Sequence, residues 1–193
     1  MTHQVGGKAT PEAAIAAALG QRSVVLVGMM GAGKSSIGRR LAQRLGLGFV
    51  DADAEIEAAA GMTIAEIFTS YGEPYFRSGE QRVIARLLDS GPQVLATGGG
   101  AFMNAETRAL IKARATSVWL KVDLDTLAKR VGRKDTRPLL KGKDARAVLD
   151  DLAQVRYPVY AEADITIESG DTPHHSTVDS IIKALKERAE AAA

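Results

Sequence analysis

The sequence predicts an α/β fold in which helices flank a five-stranded parallel sheet on both faces. Short apolar runs alternate along the chain with longer stretches of helical periodicity, which is the order that βαβ units give. A glycine-rich turn joins the first run to the helical stretch 34–45, so strand, tight loop and helix follow one another there. The predicted strands lie at 24–27, 48–50, 94–96, 117–120 and 165–167.

The composition of the chain suits one domain with small-molecule partners. Its 193 residues are enough to bury a core without cross-links. The 25 Lys and Arg nearly balance the 23 Asp and Glu, so neither nucleic acid nor a membrane is indicated as a partner. Cysteine is absent, which excludes disulfides and thiolate metal sites and is compatible with a reducing, cytoplasmic location. We expect a monomer.

Residues 1–21 precede the first strand, and we place the functional domain at 22–193. The apolar stretch 13–19 weakly resembles part of a signal peptide, but Lys8 is the sole basic residue before it and Pro11 intervenes. We therefore expect a short frayed or helical extension that the protein can lose.

Residues 28–35 read Gly-Met-Met-Gly-Ala-Gly-Lys-Ser and fit the phosphate-binding pattern G-x-x-x-x-G-K-[ST] at every fixed position. In such a loop the backbone N–H groups cradle phosphate oxygens, Lys34 supplies a cation and the Ser35 hydroxyl can ligate Mg²⁺. A glycine-rich turn without chemical meaning is the alternative, and the flanking strand and helix argue against it. The pattern predicts a nucleoside triphosphate with Mg²⁺, held at Gly31, Ala32, Gly33, Lys34, Ser35 and Ser36.

Two carboxylates, Asp51 and Asp53, close the second predicted strand. Residues two apart on a strand share a face, so both should project from the carboxyl edge of the sheet, where ligands bind in open α/β folds. One can then serve Mg²⁺ and the other the phosphate acceptor. Alternatively Asp53 caps the helix predicted at 54–60, and the spacing alone leaves both roles open.

Three consecutive glycines, Gly98, Gly99 and Gly100, follow the third predicted strand. They permit a close approach of the backbone to a ligand, although a flexible turn into a helix near Asn104 is the alternative. A commoner ATPase has an acidic Mg²⁺ ligand at the end of this strand, where Thr97 and the glycines stand here. The metal ligands are therefore predicted to be Ser35 and Asp51.

Two segments exceed the length of a simple connection. The segment at about 53–91 predicts two or three helices and a substrate-binding insertion, and the segment at about 132–143, rich in Gly, Lys and Arg, predicts a lid. Arg77 lies in the insertion, Arg137 in the lid and Arg156 on the next helix. A single helical Arg usually faces solvent, but three that border one cleft suggest clamps for a carboxylate and a transferring phosphate.

In combination these motifs resemble those of shikimate kinases, and the resemblance runs from about residue 23 to the C-terminal helix. The matches are the phosphate loop at 28–35, D-x-D at 51–53, F-R at 76–77 with Glu80 at the family spacing, the triple glycine at 98–100, R-P-L-L at 137–140 and R-x-x-x-Y at 156–160.

The resemblance implies a P-loop NTPase-type fold, like that of nucleoside monophosphate kinases. It also implies transfer of the ATP γ-phosphate to the 3-hydroxyl of shikimate, with Mg²⁺, in the pathway to chorismate and the aromatic amino acids. By similarity the catalytic residues are Asp53 as base, with Lys34 and Arg137 at the phosphates. Shikimate is held by Asp53, Arg77, Gly98, Gly99, Gly100 and Arg156, and the adenine by Arg130 and the loop at 169–173.

Two other classes remain as alternatives. One is another small-molecule P-loop kinase, such as a gluconate kinase or a nucleoside monophosphate kinase, which would lack the joint appearance of D-x-D, F-R and the triple glycine. The other is a nucleotide-sensing module that binds ATP without transferring phosphate, but every residue that the chemistry needs is in place.

Overall fold

The computed structural model describes residues 10–132 and 144–192. Five parallel strands form one sheet in the spatial order β2-β3-β1-β4-β5, which confirms the predicted α/β fold. Every predicted apolar run falls within one of these strands. They are β1 (Ser23–Val27), β2 (Gly48–Asp51), β3 (Gln93–Ala96), β4 (Ala115–Lys121) and β5 (Ile165–Glu168).

Strand β1 lies in the middle of the sheet, and all five of its residues are buried. A strand covered on both faces needs a continuous apolar run rather than an alternating one, and Val24 to Val27 supply it. The register aligns Leu26 of β1 and Asp51 of β2 with Ala96 of β3. The carboxyl ends of these three strands therefore lie at one edge of the sheet, the edge at which α/β proteins bind ligands.

Helices connect the strands and cover the sheet. Within the described ranges, no helix is both long and apolar enough to cross a membrane. A short 3₁₀ turn, Ala101–Met103, follows β3. The helices are α1 (Pro11–Leu19), α2 (Lys34–Leu45), α3 (Ala52–Ala60), α4 (Ile64–Asp89), α5 (Ala105–Arg114), α6 (Leu124–Val131), α7 (Ala145–Tyr160) and α8 (His174–Ala191).

Helix α1 forms most of the described part of the N-terminal extension. Thr10 caps it by accepting a hydrogen bond from Ala13, and Ile15 and Leu19 are buried in the main hydrophobic core, with Ile15 only 1% exposed. The helix packs against α2 and α8. This packing argues against the expectation that the extension is dispensable, because removing α1 would expose part of the core.

The insertion between β2 and β3 consists of α3 and α4. Helix α4 is kinked at Gly72, whose φ of 81° and ψ of 171° are not helical, so the insertion has three straight segments. A second, smaller core of Ile56, Ile67 and Phe76 joins α3 to both halves of α4. The insertion thus has a small core of its own, while the C-terminal part of α4 packs into the main core through Ile84, Leu87 and Leu88.

Candidate active site

A cavity of about 560 Å³ opens at the carboxyl ends of β1, β2 and β3. Most predicted site residues line it. Ala32 is buried in the main core instead, and Arg137, with nearly all of the predicted lid, lies outside the described residues. The predicted residues at the cavity are Gly31, Gly33, Lys34, Ser35, Ser36, Asp51, Asp53, Arg77, Gly98, Gly99, Gly100, Arg130 and Arg156.

The phosphate loop depends on glycine for its path. A Cβ on Gly28 would come within 2.8 Å of the Leu120 carbonyl oxygen, so only glycine lets the loop leave β1 against β4. Gly33 has a φ of 88° and precedes α2 without a side chain that could cap the helix. Among the described residues, no side chain caps the first backbone N–H groups of α2, which lie at the cavity. These groups favour the binding of an anion.

Lys34 lies beside this loop. Its Nζ donates to the carbonyl oxygens of Gly28 and Met29 at 2.8 and 2.9 Å. These contacts hold the ammonium group close to the loop, so a phosphate bound at the α2 N-terminus would meet a nearby cation.

Ser35 and Asp51 meet at the same end of the cavity. The Ser35 hydroxyl donates to Asp51 Oδ2 at 2.5 Å, which brings a hydroxyl and a carboxylate oxygen together next to the phosphate loop. Mg²⁺ prefers oxygen ligands and in nucleotide sites takes only one or two from the protein, the others coming from phosphate and water. The donor pair therefore fits a magnesium ion that also contacts the nucleotide.

Asp53 lies on a helix rather than on the strand. Strand β2 ends at Asp51, and α3 begins at the next residue, so the argument that both carboxylates share a strand face was wrong. The cap of α3 is Asp51, whose Oδ1 accepts a hydrogen bond from the Asp53 N–H at 3.0 Å, and Asp53 is not a cap. The first turn of the helix nevertheless directs Asp53 into the cavity.

The environment of Asp53 raises the pKa of its carboxyl group above the ordinary value of 3.8. Burial raises the pKa of its carboxyl, and the nearby Asp51 raises it further, while Lys34 and Arg77 act in the opposite direction. A Cβ on Gly98 would lie 2.9 Å from the Asp53 Oδ1 atom, so the absence of a side chain at Gly98 makes room for the carboxyl. Asp53 is consequently a partly desolvated carboxyl group with a raised pKa in the cavity, a typical environment of a catalytic group.

Arg77 is held by two glutamates on its own helix. It donates to Glu80 at 2.7 Å and to Glu73 at 3.2 Å. Glu80 is only 3% exposed, and its Oε1 has no hydrogen-bond partner in the described part of the chain. A side chain at Gly100 would overlap the Arg77 guanidinium, so the triple glycine also makes room for this arginine.

Arg156 reaches the cavity from α7. It is 6% exposed, and among the described residues its Nη1 has no hydrogen-bond partner. Nη1 lies 2.9 Å from the position that a Cβ on Gly99 would occupy, so it points at the triple glycine. A buried, charged donor without a partner is costly, and an anionic ligand would satisfy it.

Arg130 links the phosphate loop to the segment after β5. Its Nη2 donates to the Gly170 carbonyl at 2.9 Å and its Nη1 to the Gly31 carbonyl at 3.3 Å. The guanidinium therefore lies between the phosphate loop and the loop 169–173, which itself does not line the cavity.

Several residues that line the cavity were not assigned a function from the sequence. Apolar side chains line the insertion side, where the rings of Phe68 and Phe76 pack 4.8 Å apart. The F-R motif could have indicated Phe76, whereas Phe68 reaches the cavity only through the tertiary packing of α4. Glu80 matched the family spacing without an assigned function. The residues without a predicted role are Met30, Ile64, Phe68, Phe76, Glu80 and Thr97.

These features together define a P-loop kinase for a small anionic acceptor. A phosphate loop and the oxygen pair of Ser35 and Asp51 occupy one part of the cavity, and a buried carboxyl group and two arginines occupy another. The comparisons with known proteins identify the particular family. The family described as shikimate kinase matches residues 30–186, and this chain belongs to the shikimate kinase family.

Individual relatives agree over most of the chain. A shikimate kinase of Caulobacter vibrioides is 63% identical over 171 residues, covering 89% of this chain and 86% of the relative. One of Bradyrhizobium diazoefficiens is 61% identical over 179 residues, covering 93% and 86%.

Solved structures give the same result. The structure of shikimate kinase from Acinetobacter baumannii in complex with shikimate superimposes with a TM-score of 0.86 at 37% identity, covering 90% of this chain and 98% of that one. A gluconokinase of Sinorhizobium meliloti, with a TM-score of 0.61 at 19% identity, shares the fold alone.

Proposed function

We propose that this protein is a shikimate kinase, which transfers the ATP γ-phosphate to the 3-hydroxyl of shikimate and gives shikimate 3-phosphate and ADP. The reaction belongs to the biosynthesis of chorismate and the aromatic amino acids. One observation carries the proposal beyond membership of the family. The buried Arg156 presents its Nη1, which has no hydrogen-bond partner among the described residues, at the triple glycine in the same cavity as the phosphate loop.

The acceptor side suits a polyhydroxy acid. Arg156 and Arg77 bind the shikimate carboxylate, because guanidinium groups form charge-assisted hydrogen bonds with carboxylates. Gly98, Gly99 and Gly100 allow the ring to approach the backbone. Glu80 holds Arg77 in place through its ion pair.

The donor side suits ATP. The backbone from Gly31 to Ser36 binds the phosphates, with Lys34 as the cation beside them. Arg130 contributes to the adenine end. Ser35 and Asp51 would hold Mg²⁺, which neutralises charge on the phosphate oxygens when it is bound.

Positioning and charge neutralisation account for most of the catalysis. The transferring phosphoryl group passes through a loose transition state, so the protein mainly has to align the acceptor oxygen with the γ-phosphate. Asp53 orients the 3-hydroxyl and accepts its proton, and Lys34 stabilises the charge on the phosphate oxygens. The family resemblance assigns Arg137 a second contact to the phosphates.

We further propose that the protein acts as a monomer in the cytoplasm, where ATP is available, with small molecules rather than nucleic acid or a membrane as partners. Residues assigned to the nucleotide and residues assigned to the acceptor line the same cavity, which supports this part of the proposal. Light scattering in the presence of both substrates should give the mass of one chain. The mass of a dimer would contradict this part of the proposal.

A coupled assay of ADP release tests the function. Turnover should require shikimate and Mg²⁺ together with ATP, and chelation of the metal should abolish it. Gluconate and a nucleoside monophosphate serve as comparison acceptors, since kinases of the same fold use such substrates. Equal turnover with either of them would overturn the assignment.

A further inference from the structure

Tyr160 ends α7 and is fully buried, with its hydroxyl directed at the triple glycine. The hydroxyl donates to the carbonyl oxygen of Gly99. Arg156 lies one helical turn earlier on the same face of α7, and its Nη1 also points at Gly99. One helix therefore brings two side chains to a single glycine of the acceptor site.

The Gly99 carbonyl matters because it lies at the centre of the triple glycine. Three consecutive glycines have wide backbone freedom, and ordering them costs conformational entropy. The hydrogen bonds of the following 3₁₀ turn use the carbonyls of Gly98 and Gly100, at 3.2 and 3.1 Å. The Gly99 carbonyl is bonded by Tyr160. Because a trans peptide is planar, fixing this oxygen also fixes the direction of the Gly100 N–H.

We propose that Tyr160 is a positioning residue for the acceptor: its hydroxyl fixes the Gly99 peptide against the Arg156 guanidinium, so that the loop and the arginine meet the substrate in one preformed arrangement. The inference rests on the proposed function, because it takes shikimate as the acceptor. Tyr160 does not line the cavity and acts through Gly99 and Arg156. Preorganisation of this kind lowers the cost of ordering the site on binding.

The hydroxyl remains a donor throughout the working pH range. Burial raises the pKa of Tyr160 to about 12, while the nearby charge of Arg156 acts in the opposite direction. A role in packing alone would need only the ring, which lies 5.7 Å from the Trp119 ring. Phenylalanine would preserve that packing, so the two roles can be separated.

Tyr157 offers a matched control on the same helix. Its hydroxyl also donates to a backbone carbonyl, that of Val122 at 3.3 Å, and its ring lies 5.2 Å from the Trp119 ring. The acceptor of this bond follows β4 and is not part of the triple glycine. Tyr157→Phe therefore removes a comparable hydrogen bond without changing any contact of the triple glycine.

The test compares Tyr160→Phe, Tyr157→Phe and the unchanged protein by steady-state kinetics and by calorimetric titration with shikimate. Losing one neutral hydrogen bond should raise the KM and the Kd for shikimate about threefold to tenfold in Tyr160→Phe. The KM for ATP should stay close to that of the unchanged protein. Tyr157→Phe should leave both KM values near those of the unchanged protein.

Hydrogen exchange of the backbone amides gives a second measurement that does not need full activity. Exchange at 98–100 should be faster in Tyr160→Phe and unaltered in Tyr157→Phe. Unchanged shikimate affinity together with unchanged exchange in Tyr160→Phe would overturn the proposal, and so would equal effects on shikimate and ATP. Absence of shikimate-dependent turnover in the unchanged protein would instead refute the proposed function.

Discussion

Arg77 donates a hydrogen bond to Glu80 at 2.7 Å across one turn of α4, and the accepting carboxylate is almost completely buried beside the acceptor cavity. Burial raises the pKa of Glu80, and Asp53 adds to this effect, whereas Arg77 and Arg156 lower it. The net effect raises the pKa of Glu80, so its charged form lowers the stability of the folded protein.

Glu80→Gln should therefore stabilise the fold and weaken the binding of shikimate. A carboxyl with a raised folded pKa contributes stability below its ordinary value of 4.5 and loses it as the pH rises through the folded value. The variant should thus unfold at a higher temperature than the unchanged protein at about pH 8, and the gain should disappear at about pH 4. Its KM for shikimate should rise, because Arg77 loses the buried negative charge of its partner.

Glu73→Gln is the control for this change. Glu73 also accepts from Arg77, at 3.2 Å, but its side chain is 54% exposed, so the pair should contribute little. Thermal unfolding across the pH range and shikimate kinetics check both variants. A Glu80→Gln protein that is less stable than the unchanged protein at about pH 8 would show that the ion pair outweighs the cost of burial.

Arg156→Ala and Arg77→Ala should each weaken the binding of shikimate while leaving the binding of ATP nearly unchanged. A charge-assisted hydrogen bond contributes about 1.5–3 kcal/mol, which corresponds to a rise of about 10- to 150-fold in the KM for shikimate. The KM for ATP should change far less. Arg86→Ala, which removes an exposed pair with Glu55 on the same insertion, is the control and should leave both values near normal. An unaltered shikimate KM would exclude the two arginines as the carboxylate clamp.

Asp53→Asn should reduce kcat and leave nucleotide binding intact. The amide keeps the shape of the side chain but cannot accept the proton of the attacking hydroxyl, and a general base typically contributes about 10²- to 10⁴-fold. Glu55→Gln, two residues later on α3 and not among the residues that line the cavity, should keep its kcat. Kinetics and calorimetry with ATP measure the two effects separately. A normal kcat in Asp53→Asn would remove Asp53 from the chemistry.

The sequence could predict the elements whose signals are local. The strands are apolar runs, and the phosphate loop is a fixed pattern, so both appear in the printed residues. Asp53 was placed on a strand because Asp51 ends β2 and caps α3 at the same time, which leaves no linker between the two elements.

The sequence could not show which of the polar and apolar side chains are buried. Glu73 and Glu80 flank Arg77 at similar spacing, and only the packing of α4 against the triple glycine makes Glu80 the buried one. The helix at 11–19 shows the same limit. Its apolar content was visible, but one of the two helices that it packs against, α8, lies at the other end of the chain.

The packing of α1 predicts that this helix contributes to global stability. Ile15 is 1% exposed in the main core, so Ile15→Asp loses its packing and also buries a charge, which should cost at least the roughly 2–5 kcal/mol of a large-to-small core substitution. Ala17→Asp, on the exposed face of the same helix, should cost only about 1 kcal/mol, because Asp is a poorer helix former than Ala and lies in the last turn. Urea unfolding measures both, and deletion of residues 1–21 should resemble Ile15→Asp. If the deleted protein kept the full free energy of unfolding, α1 would be a dispensable extension, as its sequence had suggested.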